Sequence, residues 1–299
     1  MSYSVAVIGL GAMGMGAAKS CINAGINTYG IDLNEAYLDE LKQFGAKAVS
    51  KSAVDFAAEL DAVLLLVVNA KQVKEILFGT DALVPHLRPG TAIMVSSTIS
   101  SQDAKDINQK LTEKNLIMLD APVSGGAAKA LKGEMTVMAS GSSEAFSKLA
   151  PVLEAIADKV YNIGTEIGLG STVKIIHQLL AGVHIAAGAE AMALAARANI
   201  PLDLMYEVVT NAAGNSWMFE NRMKHVVEGD YSPLSMIDIF VKDLGLVTDT
   251  AKALHFPLPL ASTALNMFTQ ASNLGLGKED DSAVIKIFSG INLPLKSGE

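Results

Sequence analysis

The sequence feature that most constrains the fold is an alternation of strand-like and helical segments that begins at residue 3 and stops near residue 163. Short runs rich in Val, Ile and Leu, such as DAVLLLVV at 61–68 and TAIMVSST at 91–98, are separated by segments of helical composition. Continuous apolar runs of this kind are typical of central strands covered by helices on both faces. The alternation predicts a doubly wound α/β domain built on a parallel sheet.

From about residue 168 the strand-like runs are absent, and helical segments are punctuated by prolines at positions 201, 233, 257 and 259. Half of the 299 residues are hydrophobic, which is enough to bury a sizeable core in each of two domains. We expect an α/β domain over residues 1–164 and an all-α domain over residues 165–299.

Charge indicates the class of partner, and cysteine content indicates the cellular compartment. The formal net charge is −8 and the basic residues are scattered, which argues against nucleic acid or a membrane surface and favours a small solute. Cys21 is the only cysteine, so no intrachain disulfide is expected, and the first residues show no secretory signal pattern. We therefore expect a protein of the reducing cytoplasm.

The segment 175–196 is apolar and long enough to cross a membrane. It also carries His177, Gln178, His184 and Glu190, which are unfavourable in hydrocarbon, and no second such segment accompanies it. We expect a helix buried between domains or subunits.

The stretch VAVIGLGAMG at 5–14 has G-x-G-x-x-G spacing directly after a strand-like run and at the start of a helix. In this context the loop is predicted to bind the pyrophosphate of a dinucleotide, with unpaired N–H groups of the helix facing the phosphates. A glycine-rich turn without a ligand is the competing interpretation. The predicted cofactor-binding residues of the loop are Gly9, Leu10, Gly11, Ala12, Met13 and Gly14.

The next strand-like run, TYGID, ends with Asp32. A carboxylate at this position accepts hydrogen bonds from both adenine-ribose hydroxyls and repels a 2′-phosphate, so NAD is expected rather than NADP. The competing role for Asp32 is to cap the helix that follows.

Polar residues also follow later strands, at the sheet edge where open α/β folds bind ligands. Asn69, Ser97 and Thr98 are therefore predicted to contact the cofactor. In DAPVSGG, the hydroxyl of Ser124 and the exposed N–H groups of Gly125 and Gly126 are suited to a substrate carboxylate. Alternatively, Ser124 caps the next helix.

Lys174 stands at the start of the long apolar segment and needs an explanation. Apolar surroundings favour a neutral lysine, which can take the hydroxyl proton of an alcohol during hydride transfer. Gln178 lies one turn further along the same helix face, and His177 lies near it, so both are predicted to bind substrate. The alternative is a lysine that snorkels from a partly buried helix.

The histidines show no metal-ligand spacing, and His177 and His184, within an apolar helix, are expected to be packed or interfacial. We predict no metal.

The motifs GLGAMG, DAPVSGG, GLGSTVK and FVKDLGL occur in an order that resembles the β-hydroxyacid dehydrogenase family over nearly the whole chain. The resemblance implies a Rossmann domain, a long interdomain helix and an all-α C-terminal domain that mediates oligomerisation. Two domains of this size cannot easily cover the apolar Lys174 helix and C-terminal segments, so we expect a homodimer or homotetramer. The resemblance places the family's catalytic lysine on Lys174 and its substrate-binding SGG on residues 124–126. It also places the Lys-Asp pair on Lys242 and Asp243, with Lys242 closing over cofactor and substrate.

The family pattern usually has Asn four residues after the lysine, whereas this chain has Gln178. With this departure and the stretch NAAGNSWMFENR, the chain resembles the subgroup that oxidises four-carbon sugar acids, which implies oxidation of L-threonate to 2-dehydro-L-erythronate. Such a polyhydroxy acid needs several hydrogen-bond partners, and Gln178, His177 and Asn215 are candidates. The alternative substrates are 3-hydroxyisobutyrate and 2-hydroxy-3-oxopropionate, and the alternative of another class is a non-catalytic NAD-binding module.

Overall fold

The computed structural model describes residues 3–296, and the chain divides into two compact units between Lys174 and Ile175. This division falls inside a long helix, whereas the boundary predicted at 164/165 falls at the end of the last strand.

The first unit is a nine-stranded sheet with helices between the strands. Strands β1 to β6 are parallel, β8 is antiparallel to β6 and β7, and β9 is parallel to β8. The strand order is β3-β2-β1-β4-β5-β6-β8-β7, with β9 also paired to β8. The strands are β1 (Ser4–Ile8), β2 (Asn27–Ile31), β3 (Ala48–Ser50), β4 (Ala62–Leu65), β5 (Ala92–Val95), β6 (Ile117–Asp120), β7 (Val123–Ser124), β8 (Met135–Ser140) and β9 (Ala157–Gly164). The helices are α1 (Ala12–Asn23), α2 (Glu35–Phe44), α3 (Ala70–Phe78), α4 (Ser101–Thr112), α5 (Gly126–Lys132) and α6 (Ser143–Ile156), with 3₁₀ turns at Ala53–Glu59 and Val84–His86.

Two apolar cores lie on opposite faces of this sheet, because successive side chains of a strand point to opposite faces. Val5 and Val7 of β1 belong to the core that includes residues of α1 and α6. Ala6 and Ile8 belong to the other core, which includes residues of α3 and α4. Burial on both faces explains why the strands read as continuous apolar runs, and the predicted doubly wound fold is confirmed.

The second unit is helical. Its helices are α7 (Leu169–Arg197), which begins in the first unit, α8 (Leu202–Thr210), α9 (Trp217–Glu228), α10 (Ile237–Ala253) and α11 (Pro259–Ala271), followed by a π turn at Ser272–Leu276 and a 3₁₀ turn at Asp281–Ile287. Its core includes Ile185 and Met192 of α7 and a stacked pair, Phe240 and Phe268, whose ring centroids are 5.2 Å apart. The predicted all-α C-terminal domain is confirmed.

Within residues 3–296, α7 is the one helix long and apolar enough to cross a membrane by length and composition alone. Half of its 18-residue apolar window is buried inside the protein. Ile185, Ala189 and Met192 lie in the helical core, so packing accounts for much of the apolar character of this helix.

Candidate functional site

The glycine loop lies at the point where the strand order reverses. Strand β1 pairs with β2 on one side and with β4 on the other, and ligands of open α/β sheets bind at such a switch point. Gly9 has a φ of +90°, and a side chain on Gly14 would meet the carbonyl oxygen of Gly9 at 1.7 Å. A side chain on Gly11 would meet no atom within 4 Å. Gly9 and Gly14 are thus required by the fold, whereas Gly11 keeps space open at the N-terminus of α1, as a dinucleotide requires.

Asp32 is tied directly to this loop. Its Oδ2 accepts a hydrogen bond from the backbone N–H of Leu10 at 2.7 Å, and its Oδ1 accepts one from Asn34 at 2.8 Å. The N-cap of α2 is Asn34, so Asp32 does not perform the helix-capping role that was its alternative. The carboxylate stands at the carboxyl end of β2, half-buried beside the glycine loop.

The other predicted cofactor residues of this unit follow β4 and β5. Asn69 is the N-cap of α3, and its Oδ1 accepts a hydrogen bond from Gln72 at 3.0 Å. Thr98 is half-buried. Ser97 is 3% exposed, and within residues 3–296 its buried Oγ has no hydrogen-bond partner. An unsatisfied buried hydroxyl is costly in a folded protein, and its presence at the ligand-binding edge of the sheet fits a bound cofactor.

The segment that carries the predicted carboxylate-binding residues forms a tight turn. Ser124 ends β7, and Gly125 and Gly126 have φ values of +131° and +71°, which favour glycine. The N-cap of α5 is Gly125, so Ser124 does not cap this helix. The local conformation therefore requires the two glycines.

Lys174 is 7% exposed and lies in the second turn of α7. The start of this helix is fixed by Asp120, a fully buried residue at the end of β6. Its Oδ2 accepts hydrogen bonds from the N–H groups of Gly168 and Ser171, both at 2.9 Å, and its Oδ1 accepts one from Ser171 Oγ at 2.6 Å. Burial raises the pKa of Asp120, while these hydrogen bonds act to lower it.

Asp120 was not identified from the sequence, although it is the first residue of DAPVSGG. Because Ser171 is one turn before Lys174, the Asp120 contacts fix the helix end from which the lysine projects.

Gln178 and Lys242 meet at Asp243 in the second unit. Gln178 Nε2 donates a hydrogen bond to Asp243 Oδ2 at 2.6 Å, and Lys242 Nζ lies 2.7 Å from Asp243 Oδ1. Gln178 and Asp243 are buried, with exposures of 8% and 2%. His177 is exposed, and its Nδ1 lies 3.0 Å from Gln178 Oε1. His177 is therefore not packed inside this chain, and its predicted place at an interface stays a prediction.

Asn215, the third candidate for binding substrate hydroxyls, lies apart from these contacts. Its Nδ2 lies 3.2 Å from Glu220 Oε2, and its buried Oδ1 has no partner within the described residues. Among residues 3–296, no three His, Cys, Asp or Glu side chains are placed to share a metal ion.

A mainly parallel sheet with an open glycine loop at its switch point, followed by a helical unit, is the architecture of a Rossmann-type dinucleotide-binding protein. Two family models match the chain. Residues 4–164 match the NAD binding domain of 6-phosphogluconate dehydrogenase, and residues 168–288 match the domain described as NAD-binding of NADP-dependent 3-hydroxyisobutyrate dehydrogenase.

Individual relatives agree with these models. The chain is 76% identical over 295 residues to L-threonate dehydrogenase of Haemophilus influenzae, covering 99% of this chain and 98% of the relative. It is 72% identical over 292 residues to the protein of the same name from Escherichia coli K12, covering 98% and 97%. A crystal structure described as 3-hydroxyisobutyrate dehydrogenase from Salmonella typhimurium has a TM-score of 0.93 and 67% identity, covering 96% of this chain and 100% of that one.

The chain belongs to the β-hydroxyacid dehydrogenase family, whose members include 3-hydroxyisobutyrate dehydrogenases. It is an NAD-dependent dehydrogenase, and the predictions of family, fold, enzyme class and cofactor are confirmed.

Proposed function

We propose that this enzyme oxidises L-threonate to 2-dehydro-L-erythronate. The choice of substrate is supported by two relatives of that activity at 76% and 72% identity over nearly the full chain. The observation that carries the chemistry is Lys174, a lysine with only 7% of its surface exposed in a chain that binds a nicotinamide dinucleotide. Burial of a lysine favours its neutral form, which is the form able to accept a proton.

The proposed cofactor-binding residues are those of the glycine loop, Asp32, Asn69, Ser97, Thr98 and Lys242. When bound, NAD accepts a hydride from the carbon that carries the reacting hydroxyl. Asp32 accepts hydrogen bonds from the ribose hydroxyls, and Ser97 offers a buried hydroxyl that the protein itself does not satisfy within the described residues.

Lys174 takes the proton of the reacting hydroxyl at Nζ as the carbonyl forms, and it returns this proton in the reverse direction. Ser124, Gly125 and Gly126 hold the substrate carboxylate through one hydroxyl and backbone N–H groups. Gln178 and His177 bind the remaining hydroxyls. A polyhydroxy acid is favoured as substrate because these two side chains offer hydrogen-bond partners for hydroxyls other than the reacting one.

The first test compares the wild type with Lys174→Ala by the absorbance of NADH, using L-threonate, D-threonate, D-glycerate, 3-hydroxyisobutyrate and L-serine. General acid–base catalysis contributes about 10²- to 10⁴-fold, so kcat on L-threonate is expected to fall by at least about 100-fold. The dissociation constant of NAD, measured by titration calorimetry, is expected to stay within about twofold. Lys42→Ala, which removes an exposed lysine of α2, is the matched control.

Retained activity in Lys174→Ala would assign the lysine to packing and require another proton acceptor. The substrate panel tests a second candidate, 3-hydroxyisobutyrate, which is favoured by the description of the 67% identical crystal structure. A higher kcat/KM on 3-hydroxyisobutyrate than on L-threonate would replace the proposed substrate and leave the role of Lys174 intact.

We also propose that the enzyme is a cytoplasmic homodimer or homotetramer. Ile176, Leu180 and Leu194 share one face of α7 and are 57%, 53% and 69% exposed, which supports a partner that covers them. Light scattering that gives the mass of a single chain over a wide concentration range would refute the oligomer. We retain 1–164 and 165–299 as the two domains, supported by the family matches that end at 164 and begin at 168.

A further inference from the structure

Asp243 is placed to control the chemistry of two residues that the proposed function assigns to substrate. It is 2% exposed and lies on α10, where its Oδ2 accepts the 2.6 Å hydrogen bond from Gln178 Nε2. Lys242 Nζ is 2.7 Å from Oδ1, an ion-pair contact and not an aligned hydrogen bond. A carboxylate held by a lysine can only accept hydrogen bonds.

The orientation of the Gln178 amide follows from this restriction. A glutamine offers an NH₂ donor at one end and a carbonyl acceptor at the other, and these ends look alike in shape. Because Asp243 accepts only, Gln178 must direct its NH₂ group to Asp243. Its Oε1 is thereby directed to His177 Nδ1, at 3.0 Å.

The tautomer of His177 follows in turn. Gln178 Oε1 is an acceptor, so His177 Nδ1 must carry the hydrogen. In a neutral imidazole the other nitrogen, Nε2, is then an acceptor. The chain of contacts from Asp243 through Gln178 therefore fixes which nitrogen of the exposed His177 accepts and which donates.

We propose that Asp243 is a positioning residue for substrate binding, which fixes the Gln178 amide and the His177 tautomer. In this tautomer His177 Nε2 accepts the hydrogen of a substrate hydroxyl, whereas the opposite tautomer would donate to the oxygen of that hydroxyl. This inference rests on the proposed function, since it assumes that Gln178 and His177 bind substrate.

The experiment reads the tautomer directly, without substrate. Histidine is labelled with ¹⁵N, and spectra are recorded at pH 8, where an ordinary imidazole is neutral. The His177 signals are assigned by their loss in His177→Gln. The wild type is expected to show the Nδ1–H tautomer. In Asp243→Asn, whose side chain can donate as well as accept, the amide of Gln178 is free to turn, and a substantial fraction of Nε2–H is expected.

Kinetics supply the second measurement. Asp243→Asn is expected to raise the KM for L-threonate about tenfold while kcat changes less, because binding of a hydroxyl is weakened and proton transfer at Lys174 is retained. Asp249→Asn, which alters an exposed residue of the same helix, is the control and is expected to match the wild type. If Asp243→Asn does not fold, Gln178→Met removes the acceptor beside His177 and is expected to produce the same mixture of tautomers.

A wild-type His177 in the Nε2–H form would overturn the proposal, and so would an unchanged tautomer in the folded variants. An Nδ1–H tautomer that depends on Asp243, in an enzyme inactive on L-threonate, would support the positioning role and refute the proposed substrate. Activity on L-threonate with the opposite tautomer would refute the positioning role alone.

Discussion

At the scale of single residues, the glycine loop separates a requirement of folding from a requirement of binding. Gly11→Val is expected to lower the free energy of unfolding by at most about 1 kcal/mol, because a Cβ meets no atom within 4 Å and the loss is that of a glycine N-cap. The same side chain fills the space that a pyrophosphate needs, so NAD affinity is expected to fall at least about tenfold. Titration calorimetry and urea denaturation measure the two effects.

Gly14→Ala is the matched comparison for Gly11→Val. Its Cβ would stand 1.7 Å from the carbonyl oxygen of Gly9, so backbone must move. We expect a loss of about 2 kcal/mol or more of stability from this overpacking. Equal stability losses in the two variants would contradict the assignment of Gly11 to ligand binding.

Cys21 gives a second prediction at this scale. Burial raises the pKa of its thiol to about 12, so the protonated form persists in the folded protein well above pH 8. With this pKa only about 10⁻⁴ of the thiol is ionised at pH 8, and the thiolate is the reactive form. The native enzyme is expected to react slowly with a disulfide reagent such as dithiobis(nitrobenzoate), and one thiol per chain is expected to react at once in denaturant. Rapid labelling of the native enzyme would show that this region opens.

At the scale of elements, the start of α7 depends on one buried carboxylate. Asp120→Ala removes the acceptor for Gly168, for Ser171 N–H and for Ser171 Oγ, and it leaves these donors unsatisfied. We expect a loss of about 3 kcal/mol in the free energy of unfolding of the first unit. Asp39→Ala, which changes an exposed residue of α2, is the control, and urea denaturation is the measurement. A loss below about 1 kcal/mol would mean that water replaces the carboxylate.

The strands of the first unit differ in how much of their structure the sequence alone predicts. The apolar runs of β1, β4 and β5 are recognisable in the sequence, because both faces of each strand are buried and successive residues are therefore apolar. The run NLIMLDAPV, by contrast, divides into β6 and β7, and β7 pairs antiparallel with β8. Pairing and register depend on a partner elsewhere in the chain, and the segment itself does not encode them.

The residues of the candidate site likewise divide into those with a local sequence pattern and those that depend on distant contacts. Gly9, Gly11, Gly14 and Asp32 are predicted from local spacing, since the loop and the end of the next strand have a fixed geometric relation. Asp120 contacts Ser171, 51 residues away, and Gln178 contacts Asp243, 65 residues away. Such contacts follow from the folded arrangement and leave no local pattern.

At the scale of the whole molecule, the apolar cores of the two units are separate clusters. The two cores of the first unit lie on either side of the sheet, and the core of the second unit is built from helices. Separate cores allow the units to differ in stability, and a ligand stabilises the unit whose folded form binds it.

This separation leads to a prediction about NAD. At 100 times its dissociation constant, NAD is expected to add about 2.7 kcal/mol to the free energy of unfolding of the first unit. Hydrogen exchange is then expected to slow most in peptides from the sheet, such as β1 and β4, and less in peptides from α11, because Lys242 is the one proposed cofactor contact in the second unit. Gly11→Val, which is expected to bind NAD at least about tenfold more weakly, serves as the control and should show less slowing at the same NAD concentration. Equal slowing in the sheet and in α11 would mean that the two units unfold together, so that stability gained at the glycine loop is shared by the whole chain.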